Sequence, residues 1–194
     1  VGAAIYLNEY ASNRKVVAAI EYAAETLSGI PSIVYGLFGY LCFVIALRWE
    51  YSMLAGVFTL AIMVLPLIER TSEEALLAVP ESYREASFGL GAGKLRTVFR
   101  IVLPSAMPGI LAGVILAVGR MAGESAALIF TAGTVPSIPK NLFSSARTLS
   151  VHLYALISEG LYTNEAYATS LVLLVMVLGI NTLSYAIAKK LSKK

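Results

Sequence analysis

A charged pair inside an apolar segment is the part of the sequence best suited to chemistry. Arg120 and Glu124 lie within the segment 106–132, with apolar residues on both sides. If this segment crosses a bilayer, each charge costs about 2.5–3.5 kcal/mol, and such residues usually line a polar pathway. A spacing of four residues would place both on one helix face. The planar guanidinium donates two parallel hydrogen bonds, which suits a tetrahedral oxyanion.

The pair has two interpretations. Arg120 and Glu124 either neutralise each other as a structural ion pair, or line an anion pathway together with Ser125. Glu124 would repel a sulfate but could accept a hydrogen bond from a protonated phosphate, which weakly favours phosphate. Gly119 and Gly123 are small and would let another helix or an ion come close.

Two other classes of protein fit the residues less well. An intramembrane serine protease would pair Ser125 with His152, the one histidine, but Ala126 stands where such a site usually has glycine. A passive anion channel or a membrane anchor would not need the long basic loop described below. The segment Gly89–Lys94 fits the residue spacing of neither the Walker A phosphate-binding loop nor the dinucleotide-binding glycine motif. We therefore predict no catalytic, cofactor-binding or metal-binding residue in this chain, and no enzyme activity.

The composition is that of a membrane protein. Hydrophobic residues make up 58% of the chain, charged residues 14%, and the mean hydropathy is +0.76. A soluble domain has about a quarter charged residues. Asp is absent, and the single cysteine, Cys42, lies in an apolar run.

Four apolar segments are long enough to cross a bilayer, which takes about 20 helical residues. The predicted spans are 29–47, 51–68, 106–132 and 166–188 of a single transmembrane domain, 1–194. Residues 1–7 resemble the end of a further apolar segment, so we expect one or more additional spans before Val1 in the intact protein.

The charges predict the orientation of these spans. One side would carry eleven basic residues: Arg14, Lys15, Arg70, Arg84, Lys94, Arg96, Arg100, Lys189, Lys190, Lys193 and Lys194. The other would carry three: Arg48, Lys140 and Arg147. The positive-inside rule places the first side, with the C-terminus, in the cytoplasm. Topology in a lipid bilayer accounts for the basic residues, and no nucleic-acid partner is expected.

The long connection 69–105 carries a helical pattern of its own, which is typical of functional loops. Pro80 precedes a predicted helix over 81–88, and glycines then predict a sharp bend. A second short helix is expected over 94–101, ended by Pro104 and Pro108. The loop is interpreted either as a stiff lever that passes motion to a span or as a solvated amphipathic linker.

The spacing in this loop resembles the signature loop of ATP-binding-cassette importer permeases. The matching residues, with Ser87 in place of the usual alanine, are Glu85, Ala86, Gly91, Ile101, Leu103 and Pro104. The resemblance implies an all-α polytopic transmembrane bundle of the type I importer class with a cytoplasmic coupling helix. It also implies that those six residues couple the chain to an ATP-hydrolysing subunit.

Two further motifs are similar to those of phosphate-importer permeases of the PstA type. They are Gly29–Leu37 and Gly119–Ser125, in which Ser125 stands where Thr is common. Residues 65–80 fit the same group, except that Glu69 stands where an apolar residue usually precedes Arg70. The resemblance implies a prokaryotic inner-membrane importer with a second homologous permease and two ATPase subunits that bind ATP and Mg. It further implies an extracytoplasmic phosphate-binding protein, which loop 133–170 would touch unless that loop is a simple lid. The main alternative is a permease of the same fold for sulfate, molybdate or another solute.

Overall fold

The computed structural model of the chain describes residues 1–160 and 162–192, and the side chains of those up to 189. In these ranges every regular element is helical, which confirms the predicted all-α class. Lys193 and Lys194, part of the predicted cytoplasmic tail, lie outside the described residues. The helices are α1 (Gly2–Ile5), α2 (Arg14–Ser28), α3 (Ser32–Gly39), α4 (Met53–Leu77), α5 (Glu81–Gly89), α6 (Lys94–Thr97), α7 (Leu103–Ala122), α8 (Ala126–Ile129), α9 (Leu149–Glu159) and α10 (Thr163–Ser192).

Among the residues that the structure describes, three helices are long and apolar enough to cross a membrane: Met53–Leu77, Lys94–Ala122 and Thr163–Lys189. A fourth candidate is the bent pair Arg14–Ser28 and Ser32–Ala46, if the two halves form one span. The second half is α3 followed by a π-helical stretch, Tyr40–Ala46. Which of the predicted segments crosses the bilayer remains a prediction.

Two helices extend beyond their predicted bounds into the connection 69–105. The predicted span 51–68 continues as α4 to Leu77, because Pro66 lies inside the helix without ending it. The predicted short helix 94–101 is not separate either, since helical structure runs from Lys94 to Ala122. A π-helical turn, Val98–Val102, directly precedes Pro104. Its wider winding relieves the clash between a proline ring and the preceding turn.

Residues 106–132 do not form one continuous helix, so the expectation that Arg120 and Glu124 share a helix face is wrong. Helix α7 ends at Ala122, and the chain then turns through Gly123 before the four-residue α8 begins. Ser125, with φ −120° and ψ −46°, is the N-cap of α8. The physical reason is local, because Gly123 weakens the helix and the Glu124 side chain caps the next one.

The chain divides into two compact units. The first comprises residues 1–28, 66–117 and 183–194, and the second comprises 29–65 and 118–182. The core of the first unit joins the end of α4 to the helix after the loop, through Leu76, Val79, Val98, Val102, Ala106 and Ile110. The core of the second unit contains Leu128, Ala132 and Val151.

Candidate functional site

The predicted lever is present in the first unit as α5, a turn, and α6. Gly91 in the turn has φ +80°, a left-handed conformation that side chains rarely adopt. Gly89 and Gly93 have ordinary backbone angles and open space at the Cβ position. Of these three positions, only position 91 has a backbone conformation that requires glycine. The hydroxyls of Ser87 and Thr97 share a buried hydrogen bond of 2.8 Å across the turn. Ser87, the departure from the family pattern, therefore fastens α5 to α6.

The six predicted coupling residues fall into two groups. Glu85, Ala86 and Gly91 are exposed around α5 and its turn. Large apolar side chains are exposed beside them, with Phe88 at 47% and Leu90 at 89%. The second group precedes or begins α7: Ile101 is half-buried, Leu103 packs against the core, and Pro104 is exposed. The first group therefore lies on an exposed surface around α5. The second group lies where the loop joins α7.

Arg84, which the sequence analysis used only as a positive charge, anchors α5. Its Nη2 donates to Oε1 of Glu9 at 2.8 Å, and both side chains are nearly buried, at 11% and 9% exposure. Its guanidinium also donates to the backbone carbonyls of Leu76 and Val79, at 3.2 and 3.0 Å. Arg84 therefore joins α5 to the end of α4 and to the segment after α1. The sequence held no signal for this, because Glu9 is 75 residues away.

The residues Arg120, Glu124 and Ser125 lie in the second unit, at the break between α7 and α8. Oε1 of Glu124 accepts from the backbone N–H of Ala127 at 3.2 Å. The Ser150 hydroxyl donates to the carbonyl oxygen of Glu124 at 2.6 Å. Glu124 is thus held by the start of α8 and by α9. It does not share a helix face with Arg120, and the ion pairs of the described residues do not include these two side chains.

Arg120 is exposed, and two polar side chains that the sequence analysis did not single out, Tyr35 and Asn181, lie near the end of α7. The Arg120 charge acts on the hydroxyl of Tyr35, which α3 places in the buried part of the second unit. A Cβ on neighbouring Gly119 would lie 2.6 Å from Oδ1 of Asn181, so α10 approaches this break closely. Asn181 is the one amide within 166–188, a signal that could have identified it.

Helix α3, which carries the first of the two motifs that suggested a phosphate importer, packs against α8, which directly follows the second motif. A Cβ on Gly36 would lie 2.9 Å from Cα of Ala127, so α3 and α8 approach backbone to backbone. This contact needs glycine, because no side chain fits between the helices. It places the motif around Tyr35 directly beside the break that carries Glu124 and Ser125.

The sequence profile of one family covers residues 1–194, and its description is "Binding-protein-dependent transport system inner membrane component". The chain belongs to this family. This confirms the importer-permease resemblance, and the family is one of membrane transport subunits rather than enzymes.

His152, the candidate protease base, contacts Nη1 of Arg147 through its Nδ1 at 3.1 Å.

Several permeases are similar in sequence. A probable ABC transporter permease protein YqgI of Bacillus subtilis is 39% identical over 210 residues, covering 100% of this chain and 71% of the relative. The phosphate transport system permease protein PstA 2 of Mycobacterium bovis is 45% identical over 135 residues, covering 70% of this chain and 44% of the relative. PstA of Yersinia pestis is 36% identical, covering 97% of this chain and 64% of the relative. The chain therefore spans less than two thirds of both PstA relatives.

Solved transporters share the fold of this permease. The MetNI methionine ABC transporter, in inward-facing conformations, matches with a TM-score of 0.78 at 20% identity, over 98% of this chain and 84% of that chain. A bacterial ABC transporter that imports alginate matches with a TM-score of 0.69 at 14% identity, over 97% of this chain and 70% of that chain. These matches confirm the predicted importer-permease fold class.

The left-handed turn yields the first prediction, Gly91→Val. A β-branched residue is strained at φ +80°, so we expect α5 to lose its angle to α6 while the permease still inserts. Co-purification with an ATPase subunit should fall severalfold. Gly93→Val is the matched control, because Gly93 has φ −73° and open space. Equal co-purification for both variants would show that the turn geometry does not matter.

The helix contact yields the second prediction, Gly36→Ala. The added methyl would lie 2.9 Å from Cα of Ala127, so the second unit should lose about 1–3 kcal/mol of stability. Gly179→Ala in α10 is the matched control, because a Cβ there meets nothing within 4 Å. Thermal unfolding of the purified variants should separate them, and equal midpoints would contradict the close contact.

Proposed function

We propose that this chain is the membrane-spanning permease subunit of an ATP-driven phosphate importer. The observation that carries the proposal is the exposed guanidinium of Arg120 at a polar break inside an otherwise apolar region. Arg120 is the one basic residue of the predicted span 106–132. Its two-pronged donor geometry suits phosphate, and Ser125 places a hydroxyl in the same break, at the N-cap of α8. Relatives of 33–45% identity named as phosphate permeases support the same substrate.

The proposed partners follow from the exposed surface of α5. ATPase subunits, which would bind ATP and Mg, dock on Glu85, Ala86, Phe88 and Leu90, an apolar patch with one carboxylate. The lever then passes ATPase motion through α6 into α7, since the two are continuous. A second homologous permease completes the path, and an extracytoplasmic phosphate-binding protein delivers the anion. This chain itself holds no nucleotide or cofactor.

The test is phosphate uptake into proteoliposomes that contain the chain, its partner permease and the ATPase, with a phosphate-binding protein added outside. We expect ATP-dependent accumulation of phosphate that excess sulfate or molybdate does not inhibit. Accumulation of sulfate or molybdate with their own binding proteins, and none of phosphate, would favour the alternative substrates. Uptake without ATP would indicate a passive channel.

The third prediction concerns orientation in the prokaryotic inner membrane, with α5 and the C-terminus in the cytoplasm. A cysteine replacing Lys94 should react with a membrane-impermeant thiol reagent only from the cytoplasmic side, and one replacing Lys140 only from outside. The background is a Cys42→Ser variant, which removes the single native thiol. Labelling of both from the same side would remove one span from the topology.

A further inference from the structure

The loop that follows α8 in the second unit lies across the N-terminal end of α4. The backbone N–H of Met53 donates to the carbonyl oxygen of Ser144 at 3.0 Å. The N–H of Leu54 donates to the carbonyl oxygen of Leu142 at 2.9 Å. The first N–H groups of a helix have no partner within the helix itself, so the loop satisfies them. Since α4 is a candidate span that begins at Met53, the loop backbone lies where this span meets the bilayer surface.

An aromatic cluster joins this loop to the flank of α4. The ring of Phe143 meets Trp49 edge to face, with centroids 6.3 Å apart, and Trp49 in turn lies 5.5 Å from the ring of Phe58. Phe58 lies about one and a half turns into α4. Phe58 is 45% exposed and Phe143 is 57% exposed, so the loop continues the exposed apolar face of the helix. Trp and Tyr are enriched at the membrane–water boundary, which is the level that the cluster occupies.

The loop exposes further apolar side chains next to one basic residue. Ile138 is 92% exposed and Leu142 is 59% exposed. The one charged residue between them is Lys140, which is also exposed, and no acidic residue occurs from 125 to 158. A lysine beside apolar side chains suits a membrane surface, because its stem stays in apolar surroundings while its ammonium group reaches the lipid phosphates. The charge of the loop therefore complements a phospholipid surface.

We propose that residues 138–143 form an interfacial anchor that binds the phospholipid surface. Ile138, Leu142 and Phe143 insert at the boundary between the headgroups and the acyl chains of one leaflet, and Lys140 contacts the lipid phosphates. Exposed apolar side chains that lie together mark an interaction site, and here the neighbouring exposed surface is that of a candidate span. Because the loop backbone is hydrogen-bonded to the start of α4, the anchor sets the depth of that helix in the bilayer.

The anchor is also tied to the chain that leaves the break between α7 and α8. The N–H of Ser52 donates to the carbonyl oxygen of Thr131 at 3.0 Å, two residues after the end of α8. The N–H of Ala146 donates to the carbonyl oxygen of Ala132 at 3.1 Å. The loop, the start of α4 and the end of α8 are therefore joined by backbone hydrogen bonds, and an anchored loop holds the break at a fixed height.

The experiment measures tryptophan fluorescence of the full chain in nanodiscs whose phospholipids carry bromine near the top of the acyl chains. Trp49 is the single tryptophan, so Trp49→Phe with Phe143→Trp moves the reporter into the loop and keeps an aromatic pair. At a depth of about 5–10 Å, the brominated lipid should quench the emission about twofold, and aqueous iodide should quench it little. Trp49→Phe with Tyr83→Trp is the matched control. Tyr83 is 50% exposed on α5, and its reporter should be quenched by iodide and not by the lipid.

A second reporter, Ile138→Trp with Trp49→Phe, guards against a disturbance of the aromatic cluster by the first, because a side chain that is 92% exposed can be replaced without loss of packing. We expect lipid quenching of both reporters, retained when the partner permease, the ATPase and a phosphate-binding protein are added. Quenching of both by iodide and not by lipid would overturn the proposal, since the loop would then lie in water. Loss of lipid quenching on addition of the permease or the binding protein would also overturn it, and would make the loop a protein-docking surface. The readout needs no transport, so the result is independent of the proposed function.

Discussion

Phosphate uptake should fall by about 10–100-fold when Arg120 is replaced by glutamine, while assembly with the ATPase is unchanged. A charge-assisted pair of hydrogen bonds contributes about 1.5–3 kcal/mol, which sets the size of the loss. Arg120→Lys should recover only part of the uptake, because a point charge lacks the two-pronged donor geometry. The measurement is the initial uptake rate, normalised to assembled complex.

The structure makes this single substitution informative. If Arg120 neutralised a buried Glu124, its removal would leave an unpaired charge, and misfolding would imitate a loss of transport. Glu124 is instead bonded to the N–H of Ala127, and Arg120 is exposed. Arg14→Gln, which removes the same charge from an exposed position on α2, is the control. Uptake near the parent's rate in Arg120→Gln, and in the double variant Arg120→Leu with Glu124→Leu, would place the anion path elsewhere.

Replacing Arg84 by methionine should lower the free energy of unfolding by about 3–5 kcal/mol, the usual loss when one partner of a buried ion pair is removed. Glu9 would keep a charge at 9% exposure without its partner, and two backbone carbonyls would lose a donor. The variant should also couple poorly, because α5 would no longer be fixed to the end of α4. Thermal unfolding and ATPase co-purification measure the two effects.

Arg70→Met is the matched comparison. Arg70 also forms two ion pairs, but its side chain is 46% exposed and its partners 65% and 64% exposed. Such surface pairs contribute about 0–1 kcal/mol. A second check is Arg84→Met with Glu9→Leu, which removes both charges and should recover most of the stability. Equal losses in Arg84→Met and Arg70→Met would contradict the anchoring role of Arg84.

The sequence predicted most of what depends on local pattern. Apolar length identified the membrane class, and the positive φ of Gly91 was expected from a glycine in a sharp bend. Composition indicated only a membrane protein, whereas the family resemblance predicted the type I importer-permease fold. The positions of the helix ends were harder to predict, because Pro66 and Pro108 are residues that usually break helices and yet lie inside α4 and α7.

The contacts at the candidate sites that the sequence did not predict, or predicted incorrectly, have a common physical cause. A spacing of four residues implies one helix face only where the helix continues, and α7 ends two residues before Glu124. Arg84 and Glu9, or Gly36 and Ala127, are far apart in sequence, so a single sequence carries no sign of their contact. Glu69 was visible as a departure from the family pattern, but the burial of its side chain depends on tertiary packing.

ATP hydrolysis by the reconstituted complex tests the central claim most directly, because it reports substrate identity and coupling together. Phosphate-loaded binding protein should stimulate hydrolysis severalfold in proteoliposomes with the parent chain, and sulfate-loaded or empty binding protein should not. The Gly91→Val variant should lose this stimulation, while Gly93→Val should retain it, since only Gly91 has a positive φ. Stimulation by another solute's binding protein but not by phosphate, or equal stimulation of both glycine variants, would contradict the account.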